Sequence, residues 1–198
     1  MSKFEILTDR DKQILELVEH LRMVDVYTVD KILFSNTKGT RVAQRRLANL
    51  VEFRRLNRWR MNQISNYVYY LGKRPKNIEH GLLLSHFVAN LIGMGAEIKK
   101  IKREWLITKG IRVDLFLAYT LNDKSYISIV EVENSKSFQG KYDKLEAYFS
   151  TDEYKEIFPQ VPQIICVSDK GFTEGNLEVI KIDTKFNNMN VLEKEVAL

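Results

Sequence analysis

The stretch that decides the fold is IRVDLFLAYTLNDKSYISIVEVEN, residues 111–134, in which two strongly apolar runs each carry carboxylates. Apolar runs of this length, bounded by turn residues, are typical of buried strands. Between them lie Asn122 and Asp123, a dipeptide that favours a two-residue hairpin turn. The sequence therefore predicts a β-hairpin that holds acids among apolar residues.

The turn fixes which residues of the hairpin face each other. If Leu121 pairs with Lys124, the same register places Asp114 directly opposite Glu131. Directly opposed residues point to one face of the sheet, and Glu133 lies two residues further along that face. Because like charges placed in this way repel, we expect the cluster to need a compensating group.

Several groups could compensate these acids. One is a divalent cation, another is a shared proton, and a third is Arg112, which is predicted to lie on the same face. The helical segment GKYDKLEAYFS, residues 140–150, follows the hairpin and carries Lys141, Lys144 and Tyr148. Lys144 and Tyr148 are four residues apart and share a helix face, so they could project toward the carboxylates.

Around the hairpin, the pattern predicts an α/β (α+β) fold for residues 75–198. A helix is predicted over NIEHGLLLSHFVANLIGMG, and strands over 97–107, 111–119, 125–133, 162–168 and 177–183. The resulting order is αβββαβ with one more strand, which favours a mixed sheet covered by helices. Gly72 and Pro75 interrupt regular structure and mark the boundary with a first domain of residues 1–74.

The first domain is predicted to be an N-terminal winged helix-turn-helix. Thr8 and Asp11 form an acidic variant of the capping box at the start of a helix. A second helix is predicted over TVDKILF with Thr28 as its cap, and a third over RVAQRRLANLVEF. Two strands near 56–59 and 68–70 complete three helices followed by a hairpin.

Charge is distributed unevenly along the chain. Residues 1–75 contain 15 Lys+Arg and 8 Asp+Glu, whereas the net charge of the whole chain is +5. The basic residues concentrate on the third helix and the hairpin, which a winged helix presents to double-stranded DNA. The predicted DNA-binding residues are Lys38, Arg41, Gln44, Arg45 and Asn49, with Arg54, Arg55, Arg58 and Arg60 as phosphate contacts. The alternative is that these residues form a solvated or protein-docking face.

The second domain resembles the PD-(D/E)xK nuclease fold. The resemblance rests on Asp114, then EVE at 131–133, then a helix with Lys and Tyr. With LTDRDKQILELV, IEHGLLLSHFVANL, REWL and RVDLFLAY, residues 7–150 are similar to the replication-relaxation family. That resemblance implies a DNA-binding protein encoded with plasmid or other mobile-element genes.

The resemblance also implies candidate catalytic residues. In the nuclease fold the two acids bind Mg²⁺ and a lysine two residues later assists the attacking water. Here Asp114 and Glu131 would be the metal ligands, but Glu133 stands at the lysine position. Lys144, or alternatively Lys141, would supply a displaced cation. The loss of the motif lysine favours a degenerate nuclease-like domain.

The sequence thus predicts a DNA-binding protein of mobile-element (plasmid or phage) replication, mobilisation or regulation. The alternatives are a Mg²⁺-dependent endonuclease that uses Asp114, Glu131 and Lys144, and a dimeric transcriptional regulator. A homodimer and a replication or transfer protein are the expected protein partners. Without a long apolar segment or a signal peptide, a cytoplasmic location and no membrane association are expected. The lone Cys166 is interpreted as a small core residue.

Overall fold

The computed structural model describes residues 7–35, 40–133 and 138–194, and it confirms the mixed α/β class. The chain divides into two compact units, Met1–Gly93 and Met94–Leu198. The finer assignment to a winged helix-turn-helix and a nuclease-like domain stays a prediction. Within the described ranges, no helix has the length and apolar character needed to cross a membrane.

The first unit contains four helices and a small sheet. Its elements are α1 (Asp9–Leu21), β1 (Met23–Asp25), α2 (Val26–Leu33), α3 (Arg41–Glu52), β2 (Asn57–Trp59), β3 (Val68–Tyr70) and α4 (Ile78–Gly93). The predicted capping box is present, because Thr8 Oγ1 accepts the Asp11 N–H and Asp11 Oδ2 accepts the Thr8 N–H. These contacts satisfy two of the unpaired N–H groups at the start of α1.

The sheet of the first unit has a strand that the sequence did not predict. The strand order is β1-β3-β2, and both outer strands are antiparallel to β3. Met23 of β1 and Asn57 of β2 flank Tyr70 from opposite sides. With three residues, β1 is too short to show a periodic pattern, and its partner is remote in sequence.

The cap of α2 corrects another prediction. Asp25, not Thr28, is the N-cap, and Thr28 lies inside the first turn of the helix. The Asp25 Oδ1 atom accepts the Thr28 N–H at 2.9 Å and its hydroxyl at 2.8 Å. Aspartate is as strong a cap as threonine, so the choice depends on where β1 ends.

Helix α4 belongs to the first unit, whereas the sequence interpretation placed it in the domain beginning at residue 75. Two contacts on buried groups explain this grouping. Ser85 Oγ donates to the Met23 carbonyl at 2.7 Å, and His86 Nε2 lies 2.8 Å from Asp25 Oδ2. Both contacts span about 60 residues of sequence, and no local pattern reveals them.

We expect Asp25→Ala to lower the free energy of unfolding by about 1–3 kcal/mol at pH 7. Burial raises the Asp25 pKa. This effect is outweighed by the hydrogen bond and charge of His86 and by the hydrogen bonds from the Thr28 N–H and hydroxyl, so the net pKa is lowered. A carboxyl whose pKa is lowered by folding stabilises the native state at pH values above its unfolded-state pKa. This stabilisation is lost as the pH falls through the folded-state pKa.

Urea unfolding at pH 7 and below pH 3 measures this effect, and the difference between variant and wild type should shrink in acid. Asp9→Ala is the matched control, because Asp9 lies exposed in the first turn of α1 and its loss should cost less than about 0.5 kcal/mol. Equal effects of the two substitutions would contradict the role of Asp25.

The second unit is a five-stranded mixed sheet with the order β4-β5-β6-β7-β8. Its elements are β4 (Glu97–Thr108), β5 (Ile111–Leu121), β6 (Lys124–Val132), α5 (Gln139–Phe149), a 3₁₀ helix (Glu153–Glu156), β7 (Gln163–Val167), β8 (Val179–Ile182) and α6 (Val191–Lys194). Strands β4 to β6 are antiparallel neighbours, whereas β7 runs parallel to β6 and β8 parallel to β7. The five predicted strands match these elements to within a few residues.

Helix α5 shares a core with one face of this sheet. Its Tyr142, Leu145 and Phe149 pack in a buried cluster with Ile129 of β6 and Cys166 of β7. Trp105, Phe116 and Phe158 extend the cluster through edge-on and tilted ring contacts. Since residues two apart on a strand point the same way, Glu131 faces this helix as Ile129 does.

Candidate nucleic-acid interface and carboxylate cluster

Helix α3 has one buried face and one cationic face. Ala43, Leu47 and Leu50 recur at helical spacing and are almost completely buried. The opposite side exposes Arg41, Gln44, Arg45 and Ala48, which are spaced as neighbours on one helix surface. Three of the predicted DNA-binding residues therefore lie together on an open helix face.

Arg46 has a different role from its arginine neighbours. Its Nη1 atom lies 3.3 Å from Asp11 Oδ2 and also 3.3 Å from Thr8 Oγ1. The ion pair joins α3 to the capping box of α1 and fixes the orientation of the helix. The contact between Arg46 and Asp11 spans 35 residues of sequence, so no local pattern reveals it.

The other predicted contacts lie beyond the middle of α3. Asn49 is half-buried, and the arginines Arg54, Arg55 and Arg58 are exposed, whereas Arg60 is half-buried. Arg54 has a φ of 57° just after the end of α3, and the Arg55 N–H then donates to the Leu50 carbonyl. This turn directs the chain into β2. Lys38, which was also predicted to bind DNA, lies outside the described residues.

Two arginines stack on one aromatic ring of the β2–β3 hairpin. The guanidinium of Arg58 lies 4.4 Å from the centre of the Tyr67 ring, and that of Arg60 lies 4.8 Å from it. Such stacking orients a guanidinium while leaving its N–H groups open to a second partner. Tyr69 and Tyr70 are buried, whereas Tyr67 is only half-buried.

In the second unit, the turn at Asn122 and Asp123 has the predicted form. Their φ values are 50° and 62°, as a type I′ turn requires, and Leu121 pairs with Lys124. The register continues without a shift to Leu115↔Val130. One step further along this register, Asp114 of β5 comes beside Glu131 of β6. The Asp114 Oδ2 atom accepts the Val132 N–H at 3.0 Å.

Glu131 is a buried carboxylate with an incomplete set of partners. Its side chain is 1% exposed, and Lys141 Nζ lies 3.1 Å from its Oε2 atom. Among the described residues, the Oε1 atom has no hydrogen-bond partner. Burial raises the pKa of Glu131 well above its usual range, and the nearby Asp114 charge raises it further, while Lys141 opposes both effects.

The compensating cation is Lys141, rather than Lys144 or Arg112. Lys141 also donates to the Arg112 carbonyl, while the side chains of Arg112 and Lys144 are exposed. Position 141 lies close to the buried stripe of α5 that contains Leu145 and Tyr148, whereas position 144 lies further round the helix. Spacing within the helix therefore offered a signal that favoured Lys141.

Tyr148 does not serve the cluster as its sequence position suggested. It is buried against Phe149, with the ring centres 5.1 Å apart. Burial raises its pKa, and the charges of Glu153 and Glu156 add to the rise, which places the hydroxyl near the 3₁₀ helix. Tyr148 is thus a residue of the core beneath α5.

Cys166 lies beside the carboxylates in the parallel pairing Glu131↔Cys166. Burial raises the pKa of the thiol to about 12, and the negative charges of Glu133 and Glu131 contribute to the rise. The sulfur therefore stays protonated at neutral pH, which is unfavourable for a nucleophile or a metal ligand. Its burial agrees with the interpretation as a small core residue.

The cluster fits a magnesium ion in its donor chemistry. Mg²⁺ binds through one or two carboxylates and keeps several waters, so it does not need a cage of protein ligands. Within the described ranges no group of three or more His, Cys, Asp or Glu side chains is arranged to hold a metal. Asp114 and Glu131, with the unpartnered Glu131 Oε1, are the residues that would hold the ion.

We expect Glu131→Gln to stabilise the protein by about 1 kcal/mol at pH 8. The pKa of the Glu131 carboxyl is higher in the folded protein than in the unfolded chain. Such a group stabilises the native state at pH values below the unfolded-state pKa. This stabilisation is lost as the pH rises through the folded-state pKa. Glutamine keeps the shape of the side chain without the buried charge. Lys141 is 23% exposed, so its ammonium can reach water when the ion pair is removed.

Urea unfolding at pH 4 and pH 8 tests this expectation, and the gain should be largest at pH 8. Glu178→Gln is the control, because Glu178 is exposed in the same unit. A loss of stability in Glu131→Gln at pH 8 would show that the Lys141 ion pair outweighs the cost of burying the charge.

Comparison of the chain with protein-family models, with curated proteins and with solved structures finds no match in any of the three.

Proposed function

We propose that this protein binds double-stranded DNA through α3 and the β2–β3 hairpin. The observation that carries the proposal is the single exposed face of Arg41, Gln44 and Arg45 on α3, followed by the two arginines stacked on Tyr67. Arginine and glutamine are the side chains that read base edges in the major groove, and arginine also holds phosphates.

The order of elements in the first unit supports this proposal. Three helices, a hairpin and a sheet ordered β1-β3-β2 agree with a winged helix-turn-helix. In such a domain α3 would be the recognition helix and the hairpin the wing. Lysine and arginine outnumber acids in this region, so affinity for a polyanion is expected from charge alone.

The biological setting is proposed from the sequence resemblance to the replication-relaxation family. On this basis the protein acts in replication, mobilisation or regulation of a plasmid or phage. A homodimer, or a replication or transfer protein, would then be its protein partner. Binding of the protein beside an origin of replication would support this setting.

Salt dependence of DNA binding tests the proposed interface. If Arg54, Arg55, Arg58 and Arg60 each hold a phosphate, log K should fall with log salt with a slope of roughly −3.6. Fluorescence anisotropy of a labelled duplex, titrated at several salt concentrations, gives the slope. An affinity that is absent at low salt, or insensitive to salt, would contradict the proposal.

A second function is favoured by the carboxylate cluster: Mg²⁺-dependent cleavage of DNA. Lys141 provides the cation that the sequence motif lacks, at 3.1 Å from Glu131 Oε2. The order of β4, β5, β6, α5 and β7 also agrees with the nuclease-like αβββαβ pattern, apart from the grouping of α4. The cluster thus has the residue types of a phosphodiester hydrolase.

Each residue of the cluster would have a separate role in DNA cleavage. Asp114 and Glu131 would hold Mg²⁺, which supplies a water of lowered pKa and charge neutralisation when bound. The Lys141 ammonium has three donors, of which one faces Glu131 and one the Arg112 carbonyl. The third donor would be left to hold a phosphate oxygen or the attacking water.

Nicking of supercoiled plasmid tests the second function. The wild-type protein is incubated with the plasmid in Mg²⁺, in Mn²⁺ and in EDTA. Metal-dependent conversion to open circles supports a nuclease. No conversion at protein concentrations that shift the same plasmid in a gel would leave DNA binding without cleavage.

A further inference from the structure

The tip of the β2–β3 hairpin exposes apolar side chains. In this hairpin tip, residues 61–65, Ile64 is 95% exposed and Met61 is 66% exposed. They are the two most exposed large apolar side chains among the described residues. Loop tips usually carry small or polar residues, so a β-branched residue fully in water suggests a binding role.

The hairpin tip is held in one conformation by its own hydrogen bonds. Asn62 Oδ1 accepts the N–H of Ile64 at 3.0 Å, the N–H of Ser65 at 2.8 Å and the Ser65 hydroxyl at 2.7 Å. Arg60 Nη1 donates to the Gln63 carbonyl at 3.1 Å. Little conformational entropy is therefore lost when this loop binds.

Cations flank the apolar residues on the strand side of the tip. Arg58 and Arg60 stack on Tyr67, directly beside the segment that carries Met61 and Ile64. An exposed apolar point with two guanidiniums on its strand side is complementary to duplex DNA, in which phosphates border an apolar base stack. The charge of the flanks is unfavourable for a purely apolar partner.

We propose that Ile64 inserts between base pairs in the minor groove and bends the DNA. This inference rests on the proposed DNA binding and adds a mode of recognition to it. Isoleucine and methionine are among the side chains that wedge open base steps and kink the duplex. Because pyrimidine–purine steps unstack most easily, the preferred site contains a TA or CA step where the hairpin tip lies.

The bend is measured by energy transfer between fluorophores at the two ends of a duplex of roughly 25 bp with a central TA step. Wild-type protein at saturation should raise the transfer. Ile64→Ala should remove the rise and weaken binding about tenfold, because the apolar contact with the bases is lost. Ile157→Ala is the matched control, since Ile157 is exposed at 40% outside the hairpin.

The outcomes separate the wedge from DNA binding itself. If wild type binds the duplex and Ile64→Ala bends it equally, the wedge is overturned while DNA binding stands. Binding of wild type without any rise in transfer overturns the wedge as well. If wild type does not bind the duplex in a gel shift at low salt, the proposed DNA binding itself is contradicted.

Discussion

The double variant Arg45→Ala/Arg55→Ala is expected to bind duplex DNA about a hundredfold more weakly than wild type at moderate salt. Arg45 lies on the exposed face of α3, which the proposed binding mode places against base edges, and Arg55 lies exposed in the turn that leads to the hairpin. Loss of a base contact costs roughly 1–3 kcal/mol of binding free energy, and loss of a phosphate contact costs less.

The salt dependence provides the more specific readout. Each lost cation–phosphate contact should flatten the slope of log K against log salt by about 0.9. A general loss of folding would reduce the bound fraction without a defined change in slope. Circular dichroism of the double variant should match wild type, because neither arginine packs in the core.

The matched control removes two other cations. Lys12→Ala/Lys155→Ala changes the net charge equally, but Lys12 and Lys155 are exposed and already pair with Asp9 and Asp152. This control should bind DNA within about twofold of wild type. If both double variants weaken binding equally, net charge and not the α3–hairpin surface would be responsible.

If the carboxylate cluster cleaves DNA, Asp114→Ala is expected to reduce Mg²⁺-dependent nicking of supercoiled plasmid by at least about a thousandfold. A bound ion supplies several kcal/mol of transition-state stabilisation, and each 1.4 kcal/mol is about tenfold in rate. Asp114 is one of the two acids that would hold the ion, and its Oδ2 atom is already oriented by the Val132 N–H. DNA binding by the first unit should be unchanged in this variant.

Two lysine substitutions distinguish the structural arrangement from the arrangement predicted by the sequence. Lys141→Met should lose nicking, because Lys141 contacts Glu131, whereas Lys144→Met should retain it, because Lys144 is exposed. Loss of nicking in Lys144→Met but not in Lys141→Met would instead favour Lys144, the lysine chosen from the sequence. Nicking that persists in Asp114→Ala would point to a contaminating nuclease and remove the second function.

Much of the fold could be predicted from sequence, because local rules determine it. The Thr8–Asp11 capping box and the Asn122-Asp123 turn depend on residues close in sequence. Once the turn is known, the register of β5 with β6 follows by counting, and it places Asp114 near Glu131. The helical period likewise determines the exposed face of α3, because the buried Leu47 and Leu50 define the opposite side.

Other features depend on contacts between residues far apart in the chain, and only the tertiary structure decided them. Strand β1 exists because Met23 pairs with Tyr70, and α4 groups with the first unit through Ser85 and His86. Likewise, the docking of α5 on the sheet selects Lys141 over Lys144 as the partner of Glu131. The sequence by itself determined the elements, the turn and the basic face, because these follow from local hydrogen bonding and the side-chain period. The partners of the buried charges required the packed chain, because burial strengthens an ion pair only where the fold brings the two groups together.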